Sequence, residues 1–234
     1  MWEFGSKKHF YITVLTVYLT FDTASFSLNS IITMPKKLKI AVTGGIGSGK
    51  SSVCDIFHSD GYPILYADDI SKDILSTNQS VKEKIVKEFG SESFFEGKPN
   101  HKFLSEKVFS DEKKVGKINS ILHPPVIEKI VSLMEHELKQ SKMVFVEAAL
   151  IYEAKMEHLF DYVIAVTAPD ETRIKRVMES RGLSKDEVIN RMNKQIPQEK
   201  KKSLADFVIE NNKTKNELMN RAKFVLMILK SMSS

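Results

Sequence analysis

Cysteine is almost absent from the sequence, since Cys54 is the only one among 234 residues. A single cysteine excludes an internal disulfide and a zinc site built on cysteines, and it fits a reducing compartment. Glycine (10) and proline (7) are also few, and no Gly-, Ser- or Pro-rich linker divides the chain. No apolar run is long enough to cross a bilayer. These absences predict a soluble globular protein with one core domain and no stable membrane span.

The first 33 residues differ from those that follow. The run KKHFYITVLTVYLTF places a basic pair before an apolar, threonine-studded segment, as in the apolar region of a signal peptide, but no clear small-residue cleavage site follows. We therefore expect residues 1–33 to lie outside the fold, as a targeting leader or as an extension preceding Met34. Residues 34–234 would form the folded domain. The expected location is cytoplasmic, or organellar or at a membrane if residues 1–33 are a genuine leader.

The formal charge of +5 is concentrated in one segment. Residues 171–202 hold ten Lys or Arg against five acids, an excess equal to that of the whole chain. Such a segment could bind nucleic acid, an acidic membrane surface or an anionic small molecule. It contains no Phe, Tyr or Trp to stack on bases, and this favours the phosphates of a bound nucleotide over a nucleic acid.

The hydrophobic pattern alternates between strands and helices. Short apolar runs predict strands at 38–43, 62–67, 143–148, 161–168 and 206–210, with helices between them. Pro124 and Pro125 suit the first turn of a helix over 125–140. Two connections are too long for a single crossover helix, so we expect a helical insertion at about 68–142 and a basic lid at about 170–200. The fold class is α/β, a doubly wound parallel five-stranded sheet.

Residues 44–51 carry the motif with the most chemical information. Gly44, Gly49, Lys50 and Ser51 satisfy G-x-x-x-x-G-K-[ST] between a predicted strand and a predicted helix, as a phosphate-binding loop (P-loop) requires. Backbone N–H groups of such a loop surround phosphate oxygens, the lysine reaches the β and γ phosphates, and the serine hydroxyl binds Mg²⁺. The motif predicts nucleotide binding but not the reaction.

Other P-loop classes fit less well. A switch GTPase needs Asn-Lys-x-Asp, and residues 212–215 read Asn-Lys-Thr-Lys. A motor ATPase would have an acidic pair at the end of a strand, where MVFVEAAL supplies Glu147 alone. A small-molecule kinase remains, with the two long insertions as acceptor site and lid.

Several motifs, in order along the chain, resemble the dephospho-CoA kinase family. They are TGGIGSGKS at 43–51, Tyr66-Ala67-Asp68, Leu122-His123-Pro124, EAALIYE at 147–153, Arg176 to RGLS at 181–184, Gln195, ADFVI at 205–209 and Asn211. The resemblance covers about 38–228. The sequence departs from the family pattern at Tyr66, where an Asp is usual, at Ala149, where a Pro is usual, and at Ser180-Arg181, where Arg-Asp is usual.

The resemblance implies an enzyme that transfers the γ-phosphoryl group of ATP, with Mg²⁺, to the ribose 3′-hydroxyl of dephospho-CoA. A kinase for another small hydroxyl substrate, such as a nucleoside or a sugar, is the alternative. The implied catalytic residues are Asp68, Lys50, Arg176 and Arg181, and the implied ligand of the metal is Ser51. The implied nucleotide-binding residues are Gly44, Gly45, Ile46, Gly47, Ser48, Gly49, Lys50, Ser51, Ser52, Arg191 and Asn211, and the acceptor-binding residues are His123, Tyr152 and Glu153.

Each of these roles has a structural alternative that the sequence leaves open. Asp68 could accept the proton of the acceptor hydroxyl, or it could cap a helix starting near residue 69. His123 could contact the acceptor or pack beneath the following helix. Glu147 could orient the waters of Mg²⁺ or be a surface acid at the end of a strand. The arginines of the basic segment could bind triphosphate or form a solvated helix face.

Overall fold

The computed structural model describes residues 36–109 and 111–233, and the expectations for residues 1–33 lie outside them. A parallel five-stranded sheet has the order β2-β5-β1-β6-β7. Its strands are β1 (Leu38–Thr43), β2 (Ile64–Tyr66), β5 (Met143–Glu147), β6 (Tyr162–Thr167) and β7 (Phe207–Glu210). The predicted fold class and all five predicted strands are confirmed.

Nine α-helices are present in the described ranges. They are α1 (Lys50–Ser59), α2 (Ala67–Thr77), α3 (Gln79–Phe89), α4 (His101–Phe109), α5 (Glu112–Glu137), α6 (Asp170–Arg181), α7 (Lys185–Asn193), α8 (Gln198–Leu204) and α9 (Lys215–Met232). Short 3₁₀ turns lie at Ser91–Ser93 and Glu157–Leu159.

The alternation of side chains along the central strands produces two hydrophobic cores. Leu38, Ile40 and Val42 of β1 lie in the core that α1 and α9 cover. Ala41 faces the opposite core, which α2, α3 and α5 cover. Strands buried on both faces are expected in a sheet with helices on each side. Because all five strands are parallel, their carboxyl ends lie at one edge of the sheet, and side chains that follow the strands meet there.

The expectation that Pro124 and Pro125 begin a helix is wrong. Both lie inside α5, which runs unbroken from Glu112 to Glu137. Each proline removes one backbone donor and normally kinks or ends a helix. Here apolar side chains on both sides of the prolines, Leu122 before them and Ile130 after them among others, pack into the same core. Tertiary packing therefore holds the two halves together.

Two further elements were not predicted. Strands β3 (Phe94–Phe95) and β4 (Lys98–Pro99) form an antiparallel hairpin, and α8 lies within the basic segment. The hairpin turn places Glu96 and Gly97 at φ values of 48° and 80°. Positive φ at both central residues is the conformation of a two-residue turn that joins antiparallel strands.

Candidate active site

The P-loop joins the end of β1 to the start of α1. Gly49, the residue before α1, has φ 96°, and no side chain caps the helix in the described structure. The first N–H groups of α1 are therefore open to an anion, and the helix dipole favours negative charge there. A Cβ on Gly49 would lie 2.1 Å from Asn211 Nδ2. Only glycine fits, both for its backbone angle and for the space available.

Lys50 is 8% exposed and lies inside the loop that it follows. Its Nζ donates a hydrogen bond to the carbonyl oxygen of Gly45 at 3.4 Å. Burial lowers the pKa of Lys50, and the negative charges of Glu147 and Asp68 oppose that shift. The lysine predicted to bind phosphate thus lies at the P-loop with two carboxylates nearby.

Glu147 joins Ser51 at the carboxyl edge of the sheet. It is the last residue of β5, opposite Val42 of β1 and Tyr66 of β2. Its carboxylate lies close enough to Ser51 for that side chain to lower the carboxyl pKa. Burial raises the pKa of Glu147, while Lys50 and Ser51 lower it. Two side chains that offer oxygen atoms, those of Ser51 and Glu147, therefore lie beside Lys50. The sequence had left the role of Glu147 undecided.

Asp68 lies in the first turn of α2, directly after β2. It is exposed, and its charge acts on Lys50 across the edge of the sheet. The helix begins at Ala67 and is preceded by Tyr66, which makes no side-chain cap. The alternative that Asp68 caps a helix starting near residue 69 is therefore wrong. Its carboxylate lies in the first turn of a helix, close enough to Lys50 for its charge to act on the lysine.

Asn211, which directly follows β7, and Arg176 of α6 hold the P-loop at the same edge of the sheet. Asn211 Nδ2 donates to Ser48 O at 2.9 Å, and the amide oxygen of Asn211 accepts from Arg176 Nη2 at 3.3 Å. Arg176 Nη1 is buried and has no hydrogen-bond partner in the described structure. It lies 4.0 Å from the point where a Cβ of Gly49 would be. A buried guanidinium nitrogen beside a P-loop is a donor for an anion, because leaving it unpaired is costly.

Two further arginines of the expected lid, Arg181 and Arg191, lie differently. Arg181 ends α6 and is exposed. The pKa of Lys72 on α2 is raised, chiefly by its hydrogen bond with Asp69. The positive charge of Arg181 acts on Lys72 in the opposite direction. Arg191 is exposed on α7. Hydrogen bonds from Ser184 lower the pKa of Glu187, and the positive charge of Arg191 lowers it further. Arg181 thus lies within reach of the charge of Lys72 on α2, whereas the shown interaction of Arg191 is within its own helix.

The tip of the P-loop is held by the lid. The Ile46 amide donates to Gln195 Oε1 at 3.0 Å, and its carbonyl oxygen accepts from Arg173 Nε at 2.9 Å. Its side chain packs against Val177 and Val188 of α6 and α7. Arg173 is 4% exposed and also donates to Asp170 at 2.9 Å. Sequence reasoning grouped Arg173 with triphosphate-binding arginines, but its shown bonds hold the loop itself.

The three expected acceptor-binding residues do not lie together at the P-loop. His123 is half-buried in α5, and burial lowers its pKa. Tyr152 is 9% exposed, and burial with the charges of Asp206 and Glu157 raises its pKa to about 12. Those two acids precede β7 and β6, so they lie at the end of the sheet away from the P-loop.

Glu153 and the buried Lys201 form an ion pair that the sequence did not indicate. Glu153 Oε1 lies 2.7 Å from Lys201 Nζ and accepts the amide of Ile196 at 2.9 Å. The side chain of Lys201 is 1% exposed. A lysine in a highly charged run gives no signal of burial, since such runs are normally solvated.

Neither a metal-binding cluster nor a membrane-spanning helix is present in residues 36–109 and 111–233. No group of three or more His, Cys, Asp or Glu side chains could hold a metal ion within those ranges. None of the helices there has the length and hydropathy to span a bilayer.

The fold has a P-loop after the first strand of a five-stranded parallel sheet, a carboxylate on a neighbouring strand and a basic segment beside the loop. This combination defines the class of P-loop kinases for small molecules. The chain belongs to the dephospho-CoA kinase family, because the family model "Dephospho-CoA kinase" matches residues 38–217. A dephospho-CoA kinase of Thermobifida fusca is 36% identical over 182 residues, which are 77% of this chain and 90% of that protein.

Solved structures agree with this assignment. The chain superposes on the Thermus thermophilus protein TT1252 with a TM-score of 0.73 and 31% identity, over 83% of this chain and 98% of the other. It superposes on the dephospho-CoA kinase of Campylobacter jejuni with a TM-score of 0.64 and 31% identity, over 82% and 97% of the two chains.

Proposed function

We propose that the protein transfers the γ-phosphoryl group of ATP to the ribose 3′-hydroxyl of dephospho-CoA, which yields coenzyme A. The observation that carries this function is the meeting of Lys50, Ser51, Glu147 and Asp68 at the carboxyl edge of the sheet, in a chain of the dephospho-CoA kinase family. Transfer of a phosphoryl group needs positioning and charge stabilisation more than covalent chemistry. This group of side chains supplies both.

The P-loop would bind the β and γ phosphates through its backbone N–H groups, the first turn of α1 and the ammonium of Lys50. The adenine base would occupy a cavity of about 400 Å³ that begins beside Gly49 and Ser52. Arg176, Asn211 and Met219 also line it. This placement brings the unpaired Nη1 of Arg176 between the base and the phosphates.

Ser51 and Glu147 fit a magnesium site. Both offer oxygen, the donor that Mg²⁺ prefers, and the effect of Ser51 on the pKa of Glu147 supports their lying close to one another. Mg²⁺ when bound would neutralise phosphate charge. In this arrangement Ser51 would contribute its hydroxyl directly and Glu147 would hold coordinated water, since Mg²⁺ usually keeps several waters. Burial raises the pKa of Glu147, and the positive charge of Mg²⁺ would offset that rise.

Asp68 would take the proton of the attacking 3′-hydroxyl. Its carboxylate is exposed at the cleft and projects from the start of a helix, so an acceptor hydroxyl can approach it from solvent. Arg176 and Arg181 would stabilise charge on the transferred group, since guanidinium groups pair well with phosphoryl oxygens. Arg191 would act after a movement of α7, because its shown interaction is with Glu187.

The helical insertion, about 68–142, would bind the acceptor. It includes α2 to α5, and His123 is its half-buried imidazole on the helix that packs against α2. Of the three expected acceptor residues, His123 is the one that belongs to this insertion. Tyr152 would support the acceptor site by its packing in the core, and Glu153 would do so through its ion pair with Lys201. Residues 1–33 would be dispensable for catalysis, because the family match begins at residue 38.

An assay of ADP release with a panel of acceptors tests this function. Wild-type protein with ATP and Mg²⁺ should release ADP with dephospho-CoA and much less with adenosine, other nucleosides, shikimate or gluconate. The Lys50→Met variant is the control for contaminating kinases, since it removes the ammonium and keeps the buried stem. Faster turnover with any other acceptor than with dephospho-CoA would favour the alternative, a kinase for another small hydroxyl substrate.

A further inference from the structure

Lys201 of α8 is almost fully buried and makes two strong contacts. Its Nζ lies 2.7 Å from Glu153 Oε1 and donates to Ala149 O at 2.5 Å. Lysine is rarely buried unless it is paired, because removing an ammonium from water costs several kcal/mol. A lysine in this position requires specific partners, and both partners lie in the loop that follows β5.

The contact with Ala149 places Lys201 next to the strand ends that carry Thr43 and Glu147. The same carbonyl oxygen accepts from Thr43 Oγ1 at 3.3 Å. Thr43 is the last residue of β1 and precedes the P-loop, and Ala149 comes two residues after Glu147. Lys201 and Thr43 therefore share one acceptor, so the ammonium fixes the same carbonyl group that ties the loop after Glu147 to the strand end from which the P-loop begins.

A second set of contacts runs from Lys201 to the tip of the P-loop. Glu153 Oε1, which pairs with Lys201, also accepts the Ile196 amide at 2.9 Å. The preceding residue, Gln195, accepts the Ile46 amide at 3.0 Å. A continuous path of short polar contacts thus leads from the ammonium through the linker between α7 and α8 to the P-loop.

We infer that Lys201 is a positioning residue of the kinase reaction, which holds the loop after β5 and the lid linker in register with the P-loop through Glu153, Ala149 O and Gln195. The inference rests on the proposed function. Lys201 contacts neither substrate in this arrangement, and it acts through the groups that it holds. A displacement of about 1 Å at such a site can reduce turnover about 100-fold.

The first test separates positioning from stability. Lys201→Met should lower kcat by about 10- to 100-fold, and it should lower Tm because Glu153 loses its partner. Adding Glu153→Gln removes the unpaired charge, so Tm should recover while kcat stays low, since Ala149 O has lost the ammonium and keeps only the hydroxyl of Thr43 as a donor. Lys201→Arg should retain more activity than Lys201→Met. Lys200→Met, a change at the exposed neighbour, is the matched control. Recovery of kcat together with Tm in the double variant would overturn the inference.

The second test asks whether Lys201 and Gln195 act through the same path. Gln195→Ala removes the acceptor of the Ile46 amide, and it alone should lower kcat. Residues that act in one network show non-additive effects. Combining it with Lys201→Met should therefore lower kcat little beyond the more impaired single variant. A loss equal to the product of the two single losses would contradict the path.

Hydrogen exchange gives a readout that does not depend on turnover. In Lys201→Met, amides of residues 44–49 should exchange faster than in the wild type, while those of β6 should keep their protection. Faster exchange everywhere, or unchanged exchange at 44–49, would overturn the inference. If wild-type protein fails to phosphorylate dephospho-CoA, the proposed function fails, but the exchange experiment still decides whether Lys201 holds the P-loop.

Discussion

The substitution Asp68→Asn tests the role of the proton acceptor with little risk to the fold. The carboxylate is exposed in the first turn of α2, where it makes no cap, and its charge reaches Lys50. Asparagine keeps the shape of the side chain but loses the interaction of a negative charge with the helix N-terminus, about 0.3–1 kcal/mol. For a domain of this size that corresponds to a fall in Tm of at most about 4 °C.

The expected effect on turnover is much larger. A general base contributes about 10²- to 10⁴-fold to such a reaction, and an amide cannot take the proton as a carboxylate does. Steady-state kinetics with dephospho-CoA should therefore show kcat reduced by that factor, with ATP affinity from calorimetry nearly unchanged.

The neighbouring residue provides the control. Asp69→Asn removes the same charge from the same helix turn, together with the exposed ion pair to Lys72 at 2.8 Å. It should match Asp68→Asn in Tm and match the wild type in kcat. Wild-type turnover in Asp68→Asn, or equal losses of turnover in both variants, would refute the reasoning that places the base at Asp68.

Three further predictions concern the lid, the metal and pH. Arg176→Ala should lower kcat by about 10- to 1,000-fold, and Arg191→Ala should lower it much less; equal small effects would make the lid arginines a solvated face. Glu147→Gln should raise the Mg²⁺ concentration for half-maximal activity by about 10- to 100-fold, in a titration at fixed ATP; an unchanged midpoint would remove Glu147 from the site. Burial holds the pKa of His123 below its ordinary 6.5, so the fold should lose stability as pH falls through about 6.5. His123→Gln should reduce the difference between urea midpoints at about pH 7.5 and about pH 5.5. An unchanged difference would contradict the assignment of this loss of stability to His123.

The sheet and the P-loop were predictable because their signals are local. Apolar runs flanked by turn residues indicate buried strands, and the glycines that precede Lys50 and Ser51 meet a backbone requirement that is visible at Gly49, with φ 96° and no room for a Cβ. The carboxyl ends of parallel strands lie at one edge of the sheet. For this reason Asp68 and Glu147, far apart in sequence, can both act on Lys50, although the sequence left the role of each open.

The parts that could not be predicted depend on tertiary contacts. Pro124 and Pro125 stop most helices, yet α5 continues through them because the core holds both of its halves. The lysines at 200–202 look alike in sequence, but Lys201 alone of the three is buried. Its burial depends on Glu153 and Ala149, which lie about 50 residues earlier in the chain. Pairing over such distances leaves no mark in local periodicity.

Identification of the product tests the central claim most directly. Wild-type protein should be incubated with ATP, Mg²⁺ and dephospho-CoA, and the product analysed by mass spectrometry and phosphorus NMR. The account predicts one new phosphomonoester on the ribose 3′-hydroxyl, identical to that of coenzyme A, for each ADP formed. ADP without a new phosphomonoester, or a phosphomonoester at another position, would contradict it.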